Sequence, residues 1–110
     1  MGAIINFESI YNELKDAVIN IAVSSYKNYK NAVIPDVTAY LDKEKGKIEE
    51  YTLQLSQNAI TEDEFKFNVK GLKDLCEMKA LEQCGVTQIE LDKLKSNIKN
   101  TIITTILSKI

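Results

Sequence analysis

One proline and four glycines in 110 residues leave this chain little turn chemistry, so its length must go into a few long elements rather than many short ones. The spacing of its apolar residues says which kind. From Phe7 they step as Phe7, Tyr11, Leu14, Val18, Ile21 and Ser25, the alternating four-three spacing of a heptad seam, with Ile10 and Ala17 alongside. Asn6 can cap this first helix by accepting from its unsatisfied amides, and Glu8 suits the positive end of the dipole, as Lys27 and Lys30 suit the negative end. Pro35 disfavours helical geometry at Ile34, which predicts a boundary between Ala32 and Pro35 and a second helix beginning at Pro35-Asp36.

The same spacing continues through Val37, Leu41, Ile48, Tyr51 and Leu55, with Glu44 in one seam position and Tyr40 beside it. From Asp42 to Glu50 lysines and acids alternate around Gly46, a solvated face where the glycine costs about 1 kcal/mol and a bend or fraying is expected. A sharp turn is expected between Gln57 and Thr61. Thr61-Glu62-Asp63-Glu64 is then a capping box, with Ile60 and Phe65 placed as a hydrophobic staple. Phe65, Val69, Leu72, Leu75 or Cys76, and Ala80 give the third helix its stripe, supported by the pairs Glu62-Lys66 and Lys73-Glu77.

Gly85 leaves two readings open. Thr87 and Glu90 form a second capping-box pattern after a glycine stop, whereas the phase of Leu91, Leu94 and Ile98 fits a continued helix equally well. The lack of a strong loop former between Gly85 and Ile89 favours continuity. An unbroken third arm would hold ~47 residues and reach ~70 Å, overhanging its partners. The fold class expected is therefore all-α: one domain over residues 1–110, an antiparallel three-helix bundle, or four-helix if Gly85 breaks the last, with a long C-terminal helix. Its core would comprise Leu14, Val18, Ile21, Leu41, Ile48, Tyr51, Phe65, Val69, Leu72, Leu94 and Ile98.

The C-terminal segment from Asn97 to Ile110 stays apolar to its last residue, where most chains fray into polar ones. Wound as a helix it spreads Ile98, Ile102, Ile103, Ile106, Leu107 and Ile110 over about half the circumference, wider than an ordinary core stripe. Lys99 and Lys109 intrude on that arc. Asn97, Asn100, Thr101, Thr104, Thr105 and Ser108 make an opposite face with no charge, so either side could lie against protein or lipid.

Composition removes several functions. Histidine is absent, and with it Ser-His-Asp and Cys-His catalysis, His-ligated zinc and the Glu-x-x-His di-iron bundle. All fourteen basic residues are lysine, and without arginine there is no bidentate reading of guanine edges or phosphates; Lys-, Asn- and Ile-rich usage also fits an AT-rich coding sequence. A net charge of −2 with interspersed signs offers no global field to nucleic acid or an anionic membrane. Cys76 and Cys84, eight apart on one helix, are ~12 Å apart in rise, too far for a disulfide, and read as reduced core residues. The first residues lack the basic region of a secretory signal, Asn6 stands where a myristoylation motif wants Ser or Thr, and the apolar run from Ala17 to Val23 is too short for a span. A cytoplasmic location is expected.

Three constellations invite chemistry. The string from Asn58 to Phe65 looks like the back half of an EF-hand loop, but Leu53, Leu55 and Gln57 stand where calcium needs carboxylates, so a helix cap explains it. The same Ile-Thr-x-x-Glu-Phe string resembles the turn of short bacterial helical-hairpin modules that mediate association, a likeness confined to those residues. Tyr26, Lys27, Tyr29, Lys30 and Tyr40 interleave aromatics with cations as single-strand binders do, though a helix end and wetted ring edges account for them too. The acid pairs Glu49-Glu50 and Glu13-Asp16 lie beside lysines on polar faces and read as solvated surface rather than catalytic carboxylates. Gly71, Ala80 and Gly85 would permit close helix approach.

These readings point to a non-catalytic structural or adaptor protein without metal or cofactor. It would self-associate or bind a helical partner through Leu94, Ile98, Ile102, Ile103, Ile106, Leu107 and Ile110. Membrane action through the same amphipathic helix is the alternative, and association with nucleic acid comes third.

Overall fold

The computed structural model describes residues 6–72 and 78–110, and there the chain is all-helical. Helix α1 spans Phe7–Ser25, a 3-10 turn covers Lys27–Tyr29, α2 spans Lys30–Ser56, α3 Glu62–Lys70, α4 Lys79–Gln83 and α5 Gln88–Lys109. The bundle is elongated, 49 × 23 × 18 Å. Cross-links between helices give the directions. Glu8 meets Lys45 and Tyr11 meets Asp42, so α1 and α2 run antiparallel; Glu13 meets Lys109 and Tyr26 meets the Glu90 carbonyl, so α1 and α5 do too. Helix α1 is therefore the shared neighbour of two helices that run the same way. Helix α3 turns back from α2 and packs on α5, while α4 packs on α2.

Each boundary has a local cause. The Asn6 side chain accepts from the Ser9 amide and starts α1 as expected. Helix α1 ends near Tyr26 rather than at Ala32–Pro35, and Lys27 and Lys30 lie in the 3-10 turn and the first turn of α2 instead of closing α1. Pro35 is the sixth residue of α2. Its missing N–H leaves the Asn31 carbonyl without its helical donor, but Asn31 is exposed and water can serve it, while Val33 is fully buried just upstream. Helix α2 continues without a break through Gly46, where nothing lies within 4 Å of an added Cβ.

Helix α2 ends in a Schellman motif: Asn58 takes φ +59°, its amide donates to the Leu55 carbonyl, and the Ala59 amide donates to that of Gln54. Thr61 and Glu64 then form the complete capping box, at 3.1 and 2.9 Å. The expected long third arm is corrected at two points. Helix α3 stops at Lys70, with Gly71 as its cap, and α4 stops at Gly85. Gly85 adopts φ +90°, its amide donates to the Glu82 carbonyl and that of Val86 to Leu81, the Schellman pattern again, with Leu81 and Val86 buried together. Thr87 caps α5 by accepting from the Glu90 amide at 3.3 Å. The Lys73-Glu77 pair, Leu75 and Cys76 lie outside the described residues.

Of the expected core, Leu14, Val18, Leu41, Ile48, Phe65, Val69, Leu72, Leu94 and Ile98 are buried. Tyr51 is only half-buried, and Ile21 points outward. The buried positions of α1 are Phe7, Ile10, Tyr11, Leu14, Val18 and Ala22, so the stripe steps by four from Val18 to Ala22 where the heptad seam steps by three to Ile21. On α2 Thr52 is buried where the seam predicts Tyr51, its hydroxyl donating to the Ile48 carbonyl at 2.7 Å.

Candidate functional site

Leu94, Ile98, Ile102, Ile103 and Ile106 are buried in the chain's own core, Leu107 packs at its edge, and Ile110 is 49% exposed. The wide apolar arc of the C-terminal helix thus has an internal explanation. Helix α5 touches α1 on one side and α3 on the other, and burying contacts with two neighbours needs a broader stripe than one. Lys99, which intruded on that arc, reaches out of it: its ammonium donates to the carbonyls of Lys70 and Leu72 at 3.2 and 2.8 Å, where α3 ends. Lys109 pairs with Glu13 at 2.7 Å.

In its C-terminal half α5 leaves the uncharged residues Asn97, Asn100, Thr104 and Ser108 exposed. Asn100, Thr101, Thr104 and Thr105 line one wall of a groove of about 350 Å³, and Ala17 and Ile21 of α1 line the other. Ile21, left out of the core, stands here 41% exposed, beside the threonines and with no ionisable group in the lining. A seam read strictly as a heptad misses this residue.

On the other flank of α1 a polar cluster fixes its register against α2. The Tyr11 hydroxyl donates to Asp42 at 3.0 Å, Lys45 lies 4.8 Å from the Tyr11 ring centre and 3.0 Å from Glu8, and Lys15 stands 3.8 Å from Asp42. Burial, reinforced by that hydrogen bond and by the charges of Asp42 and Glu8, pushes the Tyr11 phenol far above its usual range. Below about pH 10 the phenol is protonated in both folded and unfolded chains; above it the unfolded phenol ionises first, so stability falls as pH rises. Tyr11→Phe is expected to flatten that alkaline decline between roughly pH 10 and 12, leaving the smaller part due to Tyr26, which burial and Glu90 also raise. Urea midpoints of both proteins across that range check it; parallel declines would contradict it.

Other expected positions are dispersed. Cys84 is an exposed free thiol rather than a core residue, because it caps α4 beside the Gly85 turn. The acid pairs sit on the surface, with Glu50 3.4 Å from Lys47 and Glu13 against Lys109. Tyr40 is fully buried in the core, apart from Lys27, Tyr29 and Lys30 on the surface. Among the described residues no three His, Cys, Asp or Glu side chains gather where they could hold a metal ion, and no helix is long and apolar enough to cross a membrane. Over the described residues the chain is an all-α helical bundle. No protein-family model, no curated protein and no solved structure matches it.

Proposed function

We propose that this protein is a non-catalytic helical association module, and that a second copy of the chain seats on the groove between α1 and α5. The observation that carries the proposal is the groove's lining: an exposed isoleucine among threonines and asparagine, without a single ionisable side chain, in a chain that is 27% charged. A two-fold contact sets each surface patch against its own image, so a charge near the axis meets a like charge. An uncharged patch avoids that repulsion. The uncharged positions of α5 run from Asn97 to Ser108, about 17 Å of helix, and Ala17 and Ile21 of α1 extend them sideways into one patch.

Sedimentation equilibrium over a wide range of protein concentration tests this directly. The intact chain is expected to dimerise, and Ile21→Lys or Thr104→Lys to shift it to monomer while leaving its helical circular dichroism unchanged, since both positions are exposed. A strictly monomeric intact chain would sink the proposal, as would dimers indifferent to both lysines.

A further inference from the structure

We infer that the surface where the 3-10 turn and the first turn of α2 face α4 is a sequence-tolerant site for single-stranded nucleic acid, with Tyr29 as the stacking platform and Lys27 and Lys30 as the phosphate contacts. These residues line a groove of about 580 Å³ together with the carboxamides of Asn28, Asn31 and Gln83. Tyr29 is 38% exposed, and no carboxylate is among the residues that form the groove. In an acidic protein with sixteen Asp and Glu residues, a groove holding two cations and no acid is electrostatically distinct from the whole. Its complement is an anion.

The rest of the lining narrows which anion. An aromatic face beside lysines suits a base and its flanking phosphates, because every base has a face to stack and each phosphate a charge to neutralise. Carboxamides donate and accept, so they can meet any base edge. The absence of arginine removes the bidentate reading that distinguishes one base from another, and leaves stacking and charge, the two terms that do not depend on sequence. A duplex presents its phosphates but keeps its bases stacked within the helix, so it can use only one of the two terms. The groove lies apart from the α1–α5 surface, sharing no lining residue with it, so this inference stands or falls separately from association.

The test is fluorescence anisotropy of the full chain with a labelled oligothymidine about ten nucleotides long, a length that covers a single small site. Binding is expected to weaken with salt at a log-log slope of about −1.4, the value for two phosphate contacts on a single strand. Tyr29→Ala should weaken it about tenfold and Tyr29→Phe should leave it intact, since stacking needs the ring alone. Lys27→Gln with Lys30→Gln should flatten the salt slope, whereas Ile21→Lys should not reduce binding. No binding at low salt, equal losses for both tyrosine variants, or a duplex bound as tightly as the single strand would each overturn the assignment. All the substituted residues are exposed, so circular dichroism of the variants is expected to match the parent.

Discussion

A chain ending at Lys95 is expected to show no cooperative unfolding transition at all. The residues it lacks include Ile98, Ile102, Ile103 and Ile106, which are between 0 and 7% exposed in the intact fold. Truncating one buried isoleucine to alanine typically costs about 2–5 kcal/mol, and a domain of this size holds only about 5–15 kcal/mol in total. Losing four, about 8–20 kcal/mol on that scale, matches or exceeds the reserve. The graded version is Ile102→Ala, expected to fold but to lose about 2–5 kcal/mol in urea titration. If the shortened chain unfolds cooperatively near the intact chain's midpoint, these isoleucines do not hold the core together. For the same reason, truncation cannot reveal an interface on this helix, because it removes the monomer along with any dimer; charge placed on Ile21 or Thr104 leaves the core alone.

The second large effect is expected at Asp36. This residue of α2 is buried and stands in for the side-chain cap that α4 lacks: its two carboxylate oxygens accept from the amides of Ala80 and Leu81 at 3.3 and 2.8 Å. Helix α4 has five residues, far fewer than an isolated helix needs, so its position depends on this tether and on the buried Met78, Leu81 and Val86. Asp36→Ala leaves two amide donors without acceptors and is expected to cost about 1.5–3 kcal/mol, with Asp36→Asn costing less because one oxygen remains. Hydrogen exchange gives the more specific reading. Amides of residues 79–86 should lose protection while those of α1 keep it, and a uniform loss along the chain would contradict the tethering role.

The helical class, the capping box at Thr61 and the cap at Asn6 were legible because each depends on residues close in sequence. What was not legible depends on contacts across the bundle or on accumulated geometry. Pro35 is compatible with helix because Asn31 faces water and Val33 faces the core, neither of which a local rule sees. Gly85 was ambiguous until its positive φ and the burial of Val86 against Leu81 decided for a stop. The C-terminal isoleucines were read as an interface to a partner, but which surface covers them is a question of topology: α1 and α3 of the same chain do so, and the opposite, uncharged side of α5 lines the groove with Ile21. Asp36 gave no sign of its role, since its amide partners lie more than forty residues away.

The antiparallel path of α1 and α5 also fixes how this protein can be tethered. With Lys109 against Glu13, the last turn of α5 lies beside the first turns of α1, while Lys27–Tyr29 and the Gly85 turn occupy the opposite pole, where Tyr26 reaches the Glu90 carbonyl. Residues 6 and 110 therefore stand at the same pole. Fusions and immobilised forms should keep the distal groove open to solvent, and a short flexible linker joining residue 110 to residue 6 would close the chain into a ring without crossing the bundle.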